Sequence, residues 1–144
     1  MSNMDLGIKG KVFIVTGGGK GIGGAITSQL AQEGAIPVIF DRDEAAAESL
    51  RAELGADQVH FRKVDLCDTN ACQHAVSATV DLLGRIDGLI NNAGVNDGVG
   101  LESGSPVEYR ASLEKNLYHF YDMAHFCLPH LKGTKGAILN IGSK

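Results

Sequence analysis

No run of about 18 apolar residues occurs anywhere in the 144-residue sequence, so no stretch has the length to cross a bilayer as a helix. Residues 1–11 lack the long apolar core of a secretion signal. Positive charge is scarce: 13 Lys and Arg stand against 17 Asp and Glu, a formal net charge of −4. Such a balance offers no basic surface to gather phosphate backbones, and nucleic acid is not an expected partner. Cysteine is sparse and odd in number, and Cys67, Cys72 and Cys127 show no C-x-x-C spacing. Neither a disulfide framework nor a zinc knuckle follows, and the three are expected to be reduced packing residues. His119, His125 and His130 lack the i, i+4 pairing of a helical metal site, so no metal is expected. Low-complexity tracts, charge blocks and interdomain linkers are also missing. What is left is a soluble, cytoplasmic chain forming one domain over residues 1–144, with 44% hydrophobic content to build a core.

The residues present alternate between short β-rich runs and helical periodicity. A strand over Lys11–Val15 leads into Thr16-Gly17-Gly18-Gly19-Lys20-Gly21-Ile22-Gly23, and a helix follows with Ile22, Ile26 and Leu30 on one face. Gly34 is placed to cap it, and a second strand, Ile36–Phe40, ends on Asp41. The theme repeats: a helix carrying Ala47, Leu50 and Leu54, then the strand Val59–Val64 stopped by Asp65. The next helix carries Cys72, Val76, Val80 and Leu83, followed by Gly84 and the strand Asp87–Asn91. Asn96–Gly104 is a polar loop, and Ser105-Pro106-Val107-Glu108 has the form of a capping box with proline at the first helical position. One long helix is expected from there, with a stripe of Leu113, Leu117, Phe120, Ala124, Leu128 and Leu131 persisting past Pro129. Gly133 and Gly136 would bracket the turn into a fifth strand, Ala137–Ile141.

Strands alternating with helices predict an α/β fold, a Rossmann-like, doubly wound parallel sheet with right-handed crossovers and helices on both faces. Ligands of such sheets bind beyond the carboxyl ends of the strands. Gly17–Gly23, Asp41, Asp65, Asn91–Gly94 and Ser143 all fall at those ends. The glycine turn follows a strand and opens a helix, so its backbone can approach a negative group while the first helical N–H groups point at it. That is a pyrophosphate cradle, and dinucleotide binding is the reading it favours. A nucleoside-triphosphate loop does not fit, because Lys20 precedes the glycine it would have to follow.

Thr16-Gly17, three residues, then Gly21-Ile22-Gly23, together with Asn91-Asn92-Ala93-Gly94 after the fourth strand, resemble the signature of the short-chain dehydrogenase/reductase family. The resemblance covers essentially the whole chain. It implies an NAD(P)-dependent oxidoreductase that moves a hydride between a nicotinamide cofactor and a secondary alcohol or sugar, with a tyrosine as base and a nearby lysine. Within the family the chain looks most like aldose dehydrogenases, with L-fucose as the implied substrate. By resemblance Thr16, Gly17, Lys20, Gly21, Ile22 and Gly23 hold the pyrophosphate. Asp41 would accept from the adenosine ribose hydroxyls, which favours NAD over NADP, while Lys20 and Arg42 are the basic groups able to host an extra phosphate. Asp65 and Leu66 meet the adenine, and Asn92, Ala93 and Gly94 pass close to the cofactor. The catalytic residues implied are Asn116, which kinks its helix and holds a water in the proton relay, and Ser143, which hydrogen-bonds the reacting oxygen.

Each assignment has a plainer alternative. Asp41 could cap the following helix, Asp65 or Asp68 could start the next one, and Asn91–Gly94 could serve mainly the sheet. Gly142 departs from the serine that relatives often carry. A homo-oligomer, dimer or tetramer, is implied, with Tyr118 and Tyr121 packing or facing a subunit. No Tyr-x-x-x-Lys occurs in the sequence, so the reading is of the N-terminal portion of a longer enzyme, cut after the fifth strand and inactive by itself. A non-catalytic NAD-binding or assembly module is the alternative. A flavodoxin-like domain would need aromatic flavin contacts that are not evident.

Overall fold

The computed structural model describes residues 4–143. Five strands are formed, β1 (Val12–Thr16), β2 (Ile36–Asp41), β3 (His60–Lys63), β4 (Gly88–Asn91) and β5 (Ala137–Asn140). The helices are α1 (Gly21–Gln32), α2 (Glu44–Leu54), α3 (Thr69–Leu83), α4 (Pro106–Leu113) and α5 (His119–Thr134), with a π-turn over Glu114–Tyr118 between the last two. All strand pairings are parallel and the sheet order is β3-β2-β1-β4-β5. The order reverses direction at β1, so the chain leaves β1 and β4 toward opposite sides and opens a crevice between their carboxyl ends.

Both faces of the central strands β1, β2 and β4 are covered, as their near-continuous apolar runs require. Val12, Ile14, Val38, Phe40 and Leu89 pack on one side with Cys72 and Val76 of α3 and Met123, Cys127 and Leu131 of α5. Ile39, Val59 and Ala47 pack on the other side with Ala31 at the end of α1. Burying a side chain such as Phe40, fully enclosed here, stabilises by roughly 1.5–3 kcal/mol.

The helix ends follow local chemistry. Ser105 Oγ accepts from the Glu108 amide with Pro106 at the first helical position, as the capping motif predicts. Asp43 caps α2 through the Ala46 amide and Asp68 caps α3 through Ala71. Past α1, the Gly34 amide donates to the Ala31 carbonyl and the Ala35 amide to Leu30, a Schellman closure.

Several expectations need correction. The buried face of α1 is Gly23, Gly24, Thr27 and Ala31, one residue away from the expected Ile22, Ile26 and Leu30, and Ile22 is exposed. Small residues stand on this face because the start of the helix packs closely on the glycine turn: a Cβ at Gly23 would overlap the Gly17 carbonyl, and Thr27 Oγ1 donates to the Gly18 carbonyl. The long helix is interrupted by the π-turn, after which His119, Met123, Cys127 and Leu131 are buried. Leu117 and Leu128, expected in the core, are exposed. Gly133 lies inside α5, and the left-handed residue that ends it is Lys135, at φ 55°. Cys67 is exposed, while Cys72 and Cys127 are core residues as expected.

Candidate functional site

At the carboxyl ends of β1 and β4 the two chain reversals are tied together. Thr16 Oγ1 accepts from the amides of Asn92 (2.9 Å) and Ala93 (3.1 Å) and donates to the Ile90 carbonyl (3.4 Å). Asn92 Nδ2 donates back to the carbonyls of Thr16 and Gly17. The Asn-Asn-Ala-Gly turn is thereby fixed against the glycine turn, and Thr16, fully buried, acts as the clamp between them. Gly23 sits where α1 passes closest, since a Cβ there would overlap the Gly17 carbonyl and meet Asn92 Nδ2. Gly21 is different: it has φ +60° and nothing within 4 Å of a built Cβ. Its backbone therefore faces open space at the start of α1, the geometry an anion at a helix N-terminus needs.

A cleft of about 550 Å³ opens over this edge. Gly17, Lys20 and Ile22 from the glycine turn line one part, Asn92, Ala93 and Gly94 another, and Asp41 and Arg42 the end of β2. Asp65 and Leu66, after β3, complete the expected set in the cleft. Thr16, Gly21, Gly23, Asn116 and Ser143 do not line it. Thr16 and Gly23 shape it from behind, and Gly21 opens the helix at its rim. Asn116 reaches the turn indirectly, its Oδ1 accepting from the Val95 amide at 2.6 Å while Nδ2 donates to the Ser112 carbonyl and hydroxyl. Ser143 is exposed, three residues past β5.

Asp41 does not cap α2, because Asp43 does. Instead Asp41 Oδ2 accepts from the Gly19 amide (3.2 Å) and Oδ1 from the Asp43 amide (3.0 Å). The carboxylate is thus held rigidly at the end of β2, half-buried, on the cleft wall. Lys20 Nζ pairs with Asp43 Oδ2 at 2.9 Å; that contact raises the lysine's pKa, while the Ala46 amide and then Lys20 lower the aspartate's. The ion pair is exposed and so contributes little to stability. Arg42 forms no ion pair among the described residues. Asp65 Oδ1 accepts from the Cys67 amide and shapes the turn before Asp68, which caps α3.

Sequence reading missed Phe40, Asp43, Val64, Cys67, Val95, Lys115 and His119 as cleft residues. Phe40 and Val64 look like core in any pattern, and they are core whose edges form the floor. Asp43 was signalled by Asp-Arg-Asp after β2. Lys115 and His119 come to the cleft only through the π-turn, which no periodicity announces.

Residues 11–144 match the profile of the short chain dehydrogenase family. The chain belongs to that family. L-fucose dehydrogenase of Rattus norvegicus is 38% identical over 135 residues, which is 93% of this chain and 49% of that protein. Among solved structures, Cj0485 dehydrogenase superposes with a TM-score of 0.90 at 42% identity, over 98% of this chain and 54% of its own. NADH-dependent reductase A1-R' in complex with NAD gives 0.89 at 32% identity, over 97% and 62%. A metagenomic short-chain oxidoreductase in complex with NADP gives 0.86 at 31%, over 94% and 63%. The chain spans about half the length of the curated relatives it matches. Its Rossmann-like parallel sheet is that of the family, and the cleft lies where a dinucleotide binds in such sheets. No helix among the described residues is long and apolar enough to cross a membrane.

Proposed function

We propose that the protein is an NAD-dependent oxidoreductase that transfers a hydride between the nicotinamide and a secondary alcohol or sugar such as L-fucose, with residues 1–144 serving as its dinucleotide-binding domain. The observation that carries the cofactor choice is Asp41. Its carboxylate is fixed by two backbone amides on the cleft wall, so it is preorganised to accept from two vicinal ribose hydroxyls and repels a phosphate placed there. Of the two cations that could offset this repulsion, Lys20 is drawn to Asp43, which leaves Arg42.

Gly17, Lys20, Gly21, Ile22 and Gly23 would cradle the pyrophosphate, with Thr16 clamping the turn. Asp65 and Leu66 would meet the adenine, and Asn92, Ala93 and Gly94 would back the cofactor. The cofactor supplies the hydride acceptor when bound. Asn116 would hold the proton-relay water and Ser143 the reacting oxygen. The choice of L-fucose rests on the rat relative. A homodimer or tetramer is favoured by the outer face formed by the end of the π-turn and α5, where Tyr118, Tyr121 and Leu128 are all exposed at helical spacing.

Calorimetry on the full-length enzyme tests the cofactor: NAD should bind more tightly than NADP, and Asp41→Ser should narrow the gap. Loss of such a charge-assisted pair costs roughly 1.5–3 kcal/mol. Tighter NADP binding by the wild type would assign the pocket to Arg42. A substrate screen should show turnover of L-fucose and none of a steroid, and Ser143→Ala and Asn116→Ala should each lower kcat more than they raise KM. Steroid turnover with inert aldoses would overturn the substrate assignment.

A further inference from the structure

His119 is almost wholly buried, at 1% exposure, in a place where an apolar residue would complete the Met123, Cys127, Leu131 face. Its Nε2 lies 2.8 Å from the Lys115 carbonyl. A carbonyl can only accept, so Nε2 carries the proton. Lys115 lies within the π-turn between α4 and α5, and its carbonyl accepts a hydrogen bond from the imidazole.

Asn116 is the next residue. Its Oδ1 accepts from the Val95 amide and its Nδ2 donates to Ser112, so its amide is aimed at the segment leaving the cleft. Nδ1 of His119 has no hydrogen-bond partner among the described residues. A protonated ring would bury a second N–H there without an acceptor, so the ring is held neutral. Burial lowers the imidazole pKa, against smaller opposing effects of the Lys115 carbonyl and Asp122.

We propose that His119 is a positioning residue, whose Nε2–H holds the Lys115 carbonyl, keeps the π-turn formed, and so fixes Asn116 against Val95. The part of this that concerns turnover rests on the relay role given to Asn116 above. The geometric part does not.

The test uses the full-length enzyme and two readouts. Hydrogen exchange at the Val95 amide reports whether Asn116 is in place, and steady-state kinetics report its use. His119→Phe, which removes the donor, should speed Val95 exchange by about tenfold or more, with amides of β1 and β4 unchanged. It should also lower kcat by about tenfold while cofactor KM changes little. His119→Gln, which keeps an N–H able to reach the carbonyl four residues back, should restore much of both. Unchanged Val95 exchange in folded His119→Phe, or no difference between the two variants, would overturn the proposal. Should His119→Phe not fold, the ring ¹⁵N shifts of the wild type decide: a neutral Nε2–H tautomer is expected, and an Nδ1–H tautomer overturns the assignment. Faster Val95 exchange with full kcat would leave His119 its positioning role and remove Asn116 from the chemistry.

Discussion

Gly21 and Gly23 stand two residues apart and resist substitution for different reasons. At Gly21 a side chain would meet no protein atom but would sit on a left-handed backbone, at about 1–2 kcal/mol, and would project into the space proposed for pyrophosphate. Gly21→Val should therefore weaken cofactor binding and leave the far-ultraviolet circular dichroism largely intact. At Gly23 a Cβ would overlap the Gly17 carbonyl, so Gly23→Ala should lower the melting temperature and cofactor affinity together. Equal affinity in folded Gly21→Val would take Gly21 out of the cradle. Titration gives a second prediction at this scale. Burial lowers the pKa of both His119 and His60 below the ordinary 6.5, with Arg51 and Arg62 adding to the effect at His60. The unfolded chain then binds protons more readily, so the stability from these groups is complete above about pH 6.5 and falls as pH drops through the folded values. Urea midpoints should be lower at about pH 5.5 than at about 7.5, and His60→Gln should reduce the difference. A flat profile over that window would contradict the burial argument. The buried thiols of Cys72 and Cys127 are pushed up to about 12, so alkylation of the native protein should mark Cys67 alone, at a rate slowed by its own raised pKa.

Elements whose signals are local were legible in the sequence. The strands fall within a residue or two of their expected bounds, and Ser105 and Asp68 cap where short polar side chains precede a helix. Asp41, Asp65 and Asn92 stand along the same end of the sheet, because parallel strands bring their carboxyl ends to one edge. What was not legible depends on packing distance or on an altered helical count. The α1 face differs from the expected one because Gly23, Gly24 and Thr27 carry little hydrophobicity yet are the buried residues, with Gly23 and Thr27 packed on the glycine turn. The stripe of the long helix was misassigned because the π-turn shifts its phase, and because His119 belongs to the buried face. Nor could the sequence show that the Thr16 hydroxyl meets three backbone groups, the Ile90 carbonyl and the amides of Asn92 and Ala93. Lys135 was also hidden: it holds the left-handed position after α5, where glycine is the usual occupant. Lys135→Gly should raise stability by up to about 1 kcal/mol, since relief of the Cβ clash outweighs the added freedom of the unfolded chain. A lower melting temperature in that variant would mean that the lysine side chain makes a compensating contact.

For the whole molecule, the sheet is well covered at β1, β2 and β4 and poorly covered at β5. All four β5 residues are exposed, with Ile138 at 41% and Leu139 at 53%, although the strand is apolar and pairs in register with β4. One edge of β5 pairs with no strand among the described residues. An apolar strand exposed on both faces and along one edge is a template for association, and the exposed Tyr118 at the end of the π-turn with Tyr121 and Leu128 of α5 add a second adhesive surface. The proposed chemistry is incomplete in the same region: the role proposed for Ser143 is to orient a substrate oxygen, and no Tyr-x-x-x-Lys is present in the sequence to take its proton. Residues 1–144 expressed alone should therefore aggregate or bind cofactor weakly, and should not catalyse hydride transfer. The comparison is with a longer form carrying a Tyr-x-x-x-Lys, both followed by NADH absorbance with alcohols and aldoses and by light scattering. The longer form is expected to turn over and scatter less. Robust turnover by residues 1–144 would overturn the argument and assign the base to Tyr109, Tyr118 or Tyr121.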